Sequence, residues 1–428
     1  MDVMVENLFV FHNHGGSFIS EEKKRLIDSH LRLLTERYPN YNADVARYCE
    51  LNPAQEIRAF AKCSLFLKSL DTKIIMYLTH DLGGGAESYL NKRIANDLEQ
   101  GSAVVNIFYT PFENVFRASI KHVDADVQFI AHSLKDVLAL VTPYVDEIVV
   151  NELALYPQLS RTLDTVTKYA KQSNALLEVL VHDYFMVCPS INLVGTDKVY
   201  CGLPSCYGKC NSCYYKNEFY NFYQQSIGDY RAEWESLLVC ADKVIVFSDS
   251  SKKIMHKAFP ELENVVVKPH EVRPLPSVRR KNATDSVLTI GLLGSLVEHK
   301  GENVVRDLVL LADEMDANVR FCLIGSSEKI KGSPRWSETG EYHESDLPTL
   351  VGDINPDIFF FPSVWPETFS YVCSEIMELG YPLASFDLGA QADKARSIEC
   401  GLVLPLGMDR RDLLERLMSF ADECRQAI

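Results

Sequence analysis

The 428-residue chain contains no uninterrupted run of the ~20 apolar residues that a membrane-crossing helix needs. It is also short of positive charge. Lys and Arg number 43 against 59 Asp and Glu, a net charge of −16, which argues against nucleic acid as a partner. The opening Met1-Asp2-Val3-Met4-Val5-Glu6 has neither the basic segment nor the apolar core of a secretory signal. The expected location is therefore the cytoplasm, and peripheral association with the inner face of a membrane stays compatible with that. Cysteine, at twelve residues, is too sparse for a disulfide scaffold. No repeat of 20–50 residues and no low-complexity tract occurs, which excludes solenoid and disordered classes.

What remains is an ordinary globular composition, 47% hydrophobic and 24% charged, with length for two or three domains. Residues 1–71 read as a helical extension: Glu21 to Arg37 and Ala43 to Leu70 have helical apolar spacing, broken by Tyr38-Pro39-Asn40 and again by Pro53. The His12-Asn13-His14-Gly15-Gly16 run reads as a polar loop rather than a metal site. From residue 72, short buried strands alternate with helices, the pattern of parallel sheets covered by helices on both faces. Strands are predicted at 74–79, 104–109, 127–131, 147–150 and 177–181, then at 243–247. Residues 184–214 interrupt the alternation with a long irregular loop carrying five cysteines. The Pro274, Pro276 and Arg279-Arg280-Lys281 stretch marks a boundary, so the expected domains are 72–272 and 273–428. The fold class is thus α/β: two Rossmann-like domains facing a cleft behind a helical extension. Such a cleft is a common ligand site.

Three loops carry chemistry. Gly83-Gly84-Gly85 joins the first strand to a helix, where glycine permits close approach to a phosphate and the helix start offers free N–H groups. The G-x-G-x-x-G dinucleotide spacing is absent. The second domain opens with Gly294-Ser295-Leu296-Val297-Glu298-His299-Lys300-Gly301. A cation at that helix start is unfavourable against the dipole, and a bound diphosphate would offset the conflict. The third segment, Phe361 to Glu375, places Thr368, Phe369 and Ser370 at a helix start. Glu367 stands just before that helix and Glu375 inside it, a buried carboxylate suited to a vicinal diol such as a ribose.

The spacing Glu367-x7-Glu375, with the Gly294-to-Lys300 and Gly83-to-Glu87 loops in the same order, resembles the retaining glycosyltransferases of the GT-B fold, in particular family 4, over about residues 72–428. The resemblance implies a nucleotide-diphosphate sugar as donor. Gly84, Gly85, Gly294, Ser295 and Lys300 would lie at the diphosphate and Glu375 at the ribose. Tyr342 would lie near the base, and Glu367 with Thr368, Phe369 and Ser370 at the sugar and phosphate. His182, at the end of a strand, matches a histidine facing the reacting sugar. His182, Glu367 and Lys300 are thus the implied catalytic set, and no catalytic metal is expected. The family commonly has Arg where Ser295 stands, so one phosphate contact differs here. The acceptor would be a hydroxyl of a glycan or lipid-linked glycan, with surface polysaccharide synthesis as the setting. A sugar-nucleotide epimerase and a non-catalytic binding or scaffold module are the alternatives.

Cys210 and Cys213 form a C-x2-C pair, the bite of many structural zinc sites. A subset of the family is similar in having cysteines at the positions of Cys188, Cys201, Cys210 and Cys213, which implies a structural zinc on those four, with Cys206 as the alternative.

Overall fold

The structure, a computed structural model, describes residues 20–52, 54–123, 125–216, 225–281 and 286–427. The His12–Gly16 run lies outside them. The chain divides into two compact units, residues 1–59 and 60–428. In the smaller, α1 (Ser20–Arg37) and α2 (Tyr41–Leu51) flank the Tyr38–Asn40 break, and α2 buries no side chain. The helix α3 (Gln55–Ser69) continues into the larger unit, where Cys63 and Leu67 are buried.

The larger unit holds two sheets. The first has eight strands: β1 (Ile74–Thr79), β2 (Ala103–Thr110), β3 (Val115–His122), β4 (Ala125–Ala131), β5 (Glu147–Val150), β6 (Leu176–Leu180), β7 (Lys243–Val246) and β8 (Val265–Val267). Their order is β4-β3-β2-β1-β5-β6-β7-β8. Every residue of β1 and β5 is buried, as expected of strands covered on both faces. The helices α4 (Gly84–Glu99), α5 (Leu134–Val141), α6 (Leu159–Gln172), α7 (Tyr207–Tyr214), α8 (Ile227–Cys240) and α9 (Asp249–Ala258) accompany it.

The second sheet has six strands: β9 (Leu288–Leu293), β10 (Val319–Ile324), β11 (Trp336–Glu338), β12 (Ile358–Phe361), β13 (Leu383–Phe386) and β14 (Gly401–Leu404). Their order is β11-β10-β9-β12-β13-β14 and all pairs are parallel. With it go α10 (Glu302–Glu314), α11 (Leu347–Ile354), α12 (Tyr371–Glu378), α13 (Gly389–Ser397) and α14 (Arg410–Gln426).

Two features depart from the sequence reading. No strand is predicted between 109 and 127, yet β3 lies there and pairs antiparallel with both β2 and β4, so the first sheet is not wholly parallel. Its alternation of buried and half-exposed residues is that of a strand with one wet face. The cysteine-rich loop, expected to be irregular throughout, contains the helix α7. The sequence also predicts a helix over about 218–238; it appears as α8, and residues 217–224 lie outside the described ones.

Sheet order fixes where a ligand can sit. In the first sheet β1 lies between β2 and β5, and in the second β9 lies between β10 and β12. Each is a topological switch point, where the loops leaving the carboxyl ends of neighbouring strands diverge and open a crevice. The loops after β1, β5, β9 and β12 contain Gly83–Gly85, Asn151, Gly294–Lys300 and Pro362–Ser370.

Candidate active site

The glycine loop after β1 enters α4 through Gly83 and Gly84, both in the left-handed region at φ 79° and 84°. A Cβ on Gly84 would meet nothing within 4 Å, so this glycine serves its backbone conformation and leaves space beside it. A Cβ on Gly85 would stand 3.5 Å from the Tyr371 ring of the other sheet's helix α12. Gly84, Gly85, Lys92, Arg273, Tyr371 and Glu375 line one cavity of about 230 Å3. Burial raises the Glu375 carboxyl, and the Glu344 charge adds to the shift. Tyr342 is pushed up to about 12 by burial and then by Glu375, which places it within reach of that carboxylate's field.

A second group forms at the β9 and β12 loops. Lys300 ends a one-turn 3-10 segment, and Gly301 follows at φ 90° with no room for a side chain: a Cβ there would fall 2.1 Å from the Pro362 carbonyl oxygen. That close approach binds the β9 loop to the β12 loop. Glu367 is only 9% exposed. Burial raises its carboxyl, while the Lys300 charge, the Ser370 hydroxyl and Lys394 pull it back. Its backbone N–H donates to Gln391 Oε1 at 3.0 Å, and its carbonyl accepts from Ala390 N at 2.8 Å. Ser370, in the left-handed region at φ 61°, stands at the start of α12 without a side-chain capping bond. Gly294 turns at φ 96° beside Gly325. Ser295, exposed, lies in the same loop.

The halves meet at these residues. Thr368 Oγ1 donates to the His182 carbonyl at 2.6 Å, and Ser250 N donates to Asp393 Oδ2 at 2.9 Å. Phe369 belongs to the apolar cluster of the first sheet although it follows β12. His182 leaves β6 with its ring stacked on Phe247 at 4.8 Å and its Nε2 3.0 Å from Asn151 Oδ1. Burial, then His270, His80 and Arg93, holds the imidazole well below its ordinary value, so it is neutral.

Several neighbours escaped the sequence reading. His270 stacks on Phe369 at 4.6 Å and pairs through Nδ1 with the Tyr371 hydroxyl. Burial, then Lys394 and Lys92, lowers His270 to about 3. Lys394 sits 3.9 Å from the centre of the Phe369 ring and donates to Ser374 Oγ at 2.6 Å. A signal for Tyr371 existed, since it directly follows Ser370. His270 and Lys394 carry none, because each reaches the site only through the packing of separate elements.

The structure therefore brings together Gly84, Gly85, Tyr342 and Glu375 on one side, and Lys300, Glu367, Thr368 and His182 on the other, with Phe369 and Ser370 between. The cysteines behave differently. Cys188, Cys201, Cys210 and Cys213 line one cavity of about 310 Å3. Among the described residues, however, no three His, Cys, Asp or Glu side chains gather at metal-ligand spacing. The zinc expectation is therefore unsupported. Cys210 and Cys213 ride one turn of α7, while the Cys188 sulfur accepts from Ser190 Oγ at 3.3 Å and Cys201 is exposed. Cys206, the alternative ligand, is exposed before α7 and does not line the cavity. No helix of the described residues is long and apolar enough to cross a membrane.

No protein-family model matches the chain, and no curated protein does. Solved structures do. Sucrose-phosphate synthase from Thermosynechococcus elongatus superposes with a TM-score of 0.53 at 15% identity, covering 83% of this chain and 94% of that one. The apo form of WaaB, a lipopolysaccharide outer core galactosyltransferase, gives 0.52 at 13% identity, covering 82% and 91%. The fold is GT-B. In GT-B terms, the six-stranded sheet is the C-terminal half and the eight-stranded sheet the N-terminal half. The two groups described above lie where the carboxyl edges of those sheets face each other.

Proposed function

We propose that this chain is a retaining glycosyltransferase that moves a sugar from a nucleotide-diphosphate sugar to a hydroxyl of a glycan or lipid-linked acceptor in surface polysaccharide synthesis. The observation that carries the proposal is the meeting of opposed loops. Gly84 and Gly85 share a cavity with Tyr371 and Glu375, while the Lys300 charge acts on the buried Glu367. A sugar nucleotide needs that arrangement: a bare backbone and cations for two phosphates, a carboxylate for a diol, and a second carboxylate at the sugar. The domain boundaries near residues 71 and 272 belong to the same reading, with the N-terminal half presenting the acceptor.

The chemistry follows from charge. As the bond between the anomeric carbon and the diphosphate oxygen breaks, negative charge grows on the leaving phosphates. Lys300 and the N–H groups entering α12 are fixed in place to stabilise it. The acceptor oxygen bonds to the anomeric carbon on the face the diphosphate leaves, and its proton passes to a diphosphate oxygen. Glu367 orients the sugar through its hydroxyls. The neutral His182, held by Asn151, hydrogen-bonds the sugar without placing a positive charge against it. Closure of the halves excludes water and limits hydrolysis. On this reading the reaction runs in the cytoplasm, with lipid-linked acceptors met at the inner membrane face.

Thermal unfolding with UDP, GDP, ADP and their common sugar conjugates tests the donor site. At about 100 times its dissociation constant a ligand stabilises the fold by ~2.7 kcal/mol. One base class is expected to raise Tm. No shift with any of them refutes the proposal.

A further inference from the structure

The cysteine-rich loop reaches across to the C-terminal half. Val194 bridges Tyr200 in an antiparallel turn, and Tyr200 packs against the core of the six-stranded sheet. Lys198 pairs with Glu298 at 3.5 Å. Beside these ties lies a cavity of about 700 Å3, within the ~300–1,000 Å3 range of small-molecule sites. Asn192, Thr196 and Lys198 line it from the loop, and Glu298, His299 and Trp365 from the β9 and β12 loops. It shares no lining residue with the Gly84–Glu375 cavity. Yet it adjoins the proposed reacting centre along the chain: His299 precedes Lys300, and Trp365 stands two residues before Glu367.

Its chemistry is specific. Trp365 is half-buried and offers its ring to the cavity, while its Nε1–H is closed off and, among the described residues, has no hydrogen-bond partner. Two residues of the loop wall are held in unusual backbone: Ile191 at φ 68° and Lys198 at φ 62°. Residues held this way cluster at ligand clamps because the surroundings must over-determine them. An aromatic surface ringed by amide, hydroxyl and imidazole groups fits a sugar, which offers one apolar C–H face and a rim of hydroxyls.

We infer that this cavity is the acceptor subsite and that the acceptor it takes is a carbohydrate, its ring against Trp365 and its hydroxyls shared among Asn192, Thr196 and His299. The inference rests on the glycosyltransferase reading and gives that reaction its second substrate. The cysteine-rich loop is then the device that recognises the acceptor.

Saturation-transfer NMR tests it without requiring turnover. The probes are methyl and p-nitrophenyl glycosides of glucose, galactose, mannose and N-acetylglucosamine, with di- and trisaccharides of the same sugars. UDP, GDP or ADP is added in excess to fill the donor site. One glycoside class is expected to bind and to stay bound under nucleotide. Its dissociation constant should rise at least tenfold in Trp365→Ala and in Asn192→Ala, and recover in large part in Trp365→Phe. Binding that nucleotide displaces, binding indifferent to both alanine variants, or no binding by any probe overturns the inference. The two readings fail separately. A nucleotide-induced Tm shift without glycoside binding removes the acceptor subsite alone. Glycoside binding without any nucleotide shift removes the transferase and leaves a carbohydrate site.

Discussion

The two cavities between the GT-B halves are built by opposite means. The one around Gly84, Gly85 and Glu375 is walled by strand ends and helix starts, where glycine supplies the tight turn and the backbone supplies the recognition. The one beneath the cysteine-rich loop is walled by side chains on irregular backbone, with non-glycine residues forced into the left-handed region. Catalytic geometry common to many sugar nucleotides can rest on the first kind of wall, because every backbone N–H is the same. Discrimination among acceptors needs the second kind, because side chains differ. The comparison explains why one protein carries both, and it can be pressed from either side.

The largest effect is expected at Lys300 and Glu367. Lys300→Ala and Glu367→Ala should each lower kcat/KM for the donor by about a hundredfold, ~2.7 kcal/mol of transition-state stabilisation. Glu375→Ala should cost about tenfold, ~1.4 kcal/mol, chiefly in donor KM. Steady-state kinetics on folded variants decides, and unchanged constants would dissolve the distinction between the two walls.

Glycine substitutions separate space from conformation. Gly301→Ala must push against the Pro362 carbonyl as well as hold φ 90°, and is expected to destabilise the fold by about 3 kcal/mol or more. Gly84→Ala meets open space and bears only the strain of φ 84°, about 1 kcal/mol. Chemical denaturation of the two variants should rank them in that order. Equal losses would mean that backbone conformation alone governs both loops.

Protonation offers a finer test. His270 has an ordinary value of 6.5 and a folded value of about 3, so the unfolded chain takes up a proton that the folded chain refuses. Its contribution is intact above pH 6.5 and is lost as pH falls toward 3, by at most about 1.4 kcal/mol per pH unit. The raised carboxyls of Glu367 and Glu375 act in the other direction. The difference between the parent and His270→Gln therefore isolates the histidine: the variant should lose less stability between pH 6.5 and 4. Parallel pH profiles would show that the imidazole is not held neutral.

The smallest effect belongs to the joint between halves. Thr368→Val removes the bond to the His182 carbonyl and should cost about 1 kcal/mol. Hydrogen exchange at residues 182–187 should rise, and unchanged protection there would make the bond incidental.

Much of this architecture was legible beforehand. Ile74–Thr79 is a strand with the bounds that its buried run predicts. The α12 start at Tyr371 follows from the polar cluster before an amphipathic run. The β3 strand was missed because its alternation sits in a hairpin whose Asn114 turn lacks a strong glycine signal. The helix α7 was missed because its eight residues hold a weak apolar pattern among cysteines. The zinc expectation drew on the Cys210-x2-Cys213 bite and on the resemblance to a family subset with cysteines at these positions; the fold brings the four to one cavity, yet among the described residues no three metal-ligating side chains gather at metal-ligand spacing.

The sequence by itself determined the elements that local physics governs: alternating strands and helices, left-handed glycines at loop ends, and a carboxylate eight positions after another across a helix start. Tertiary structure alone decided who meets whom. Thr368 bonds to His182 across 186 positions, and His270 finds Tyr371 across 101. Such pairings depend on strand order, on sheet twist and on how two sheets face each other. These are set by the summed packing of every element, which no local pattern encodes.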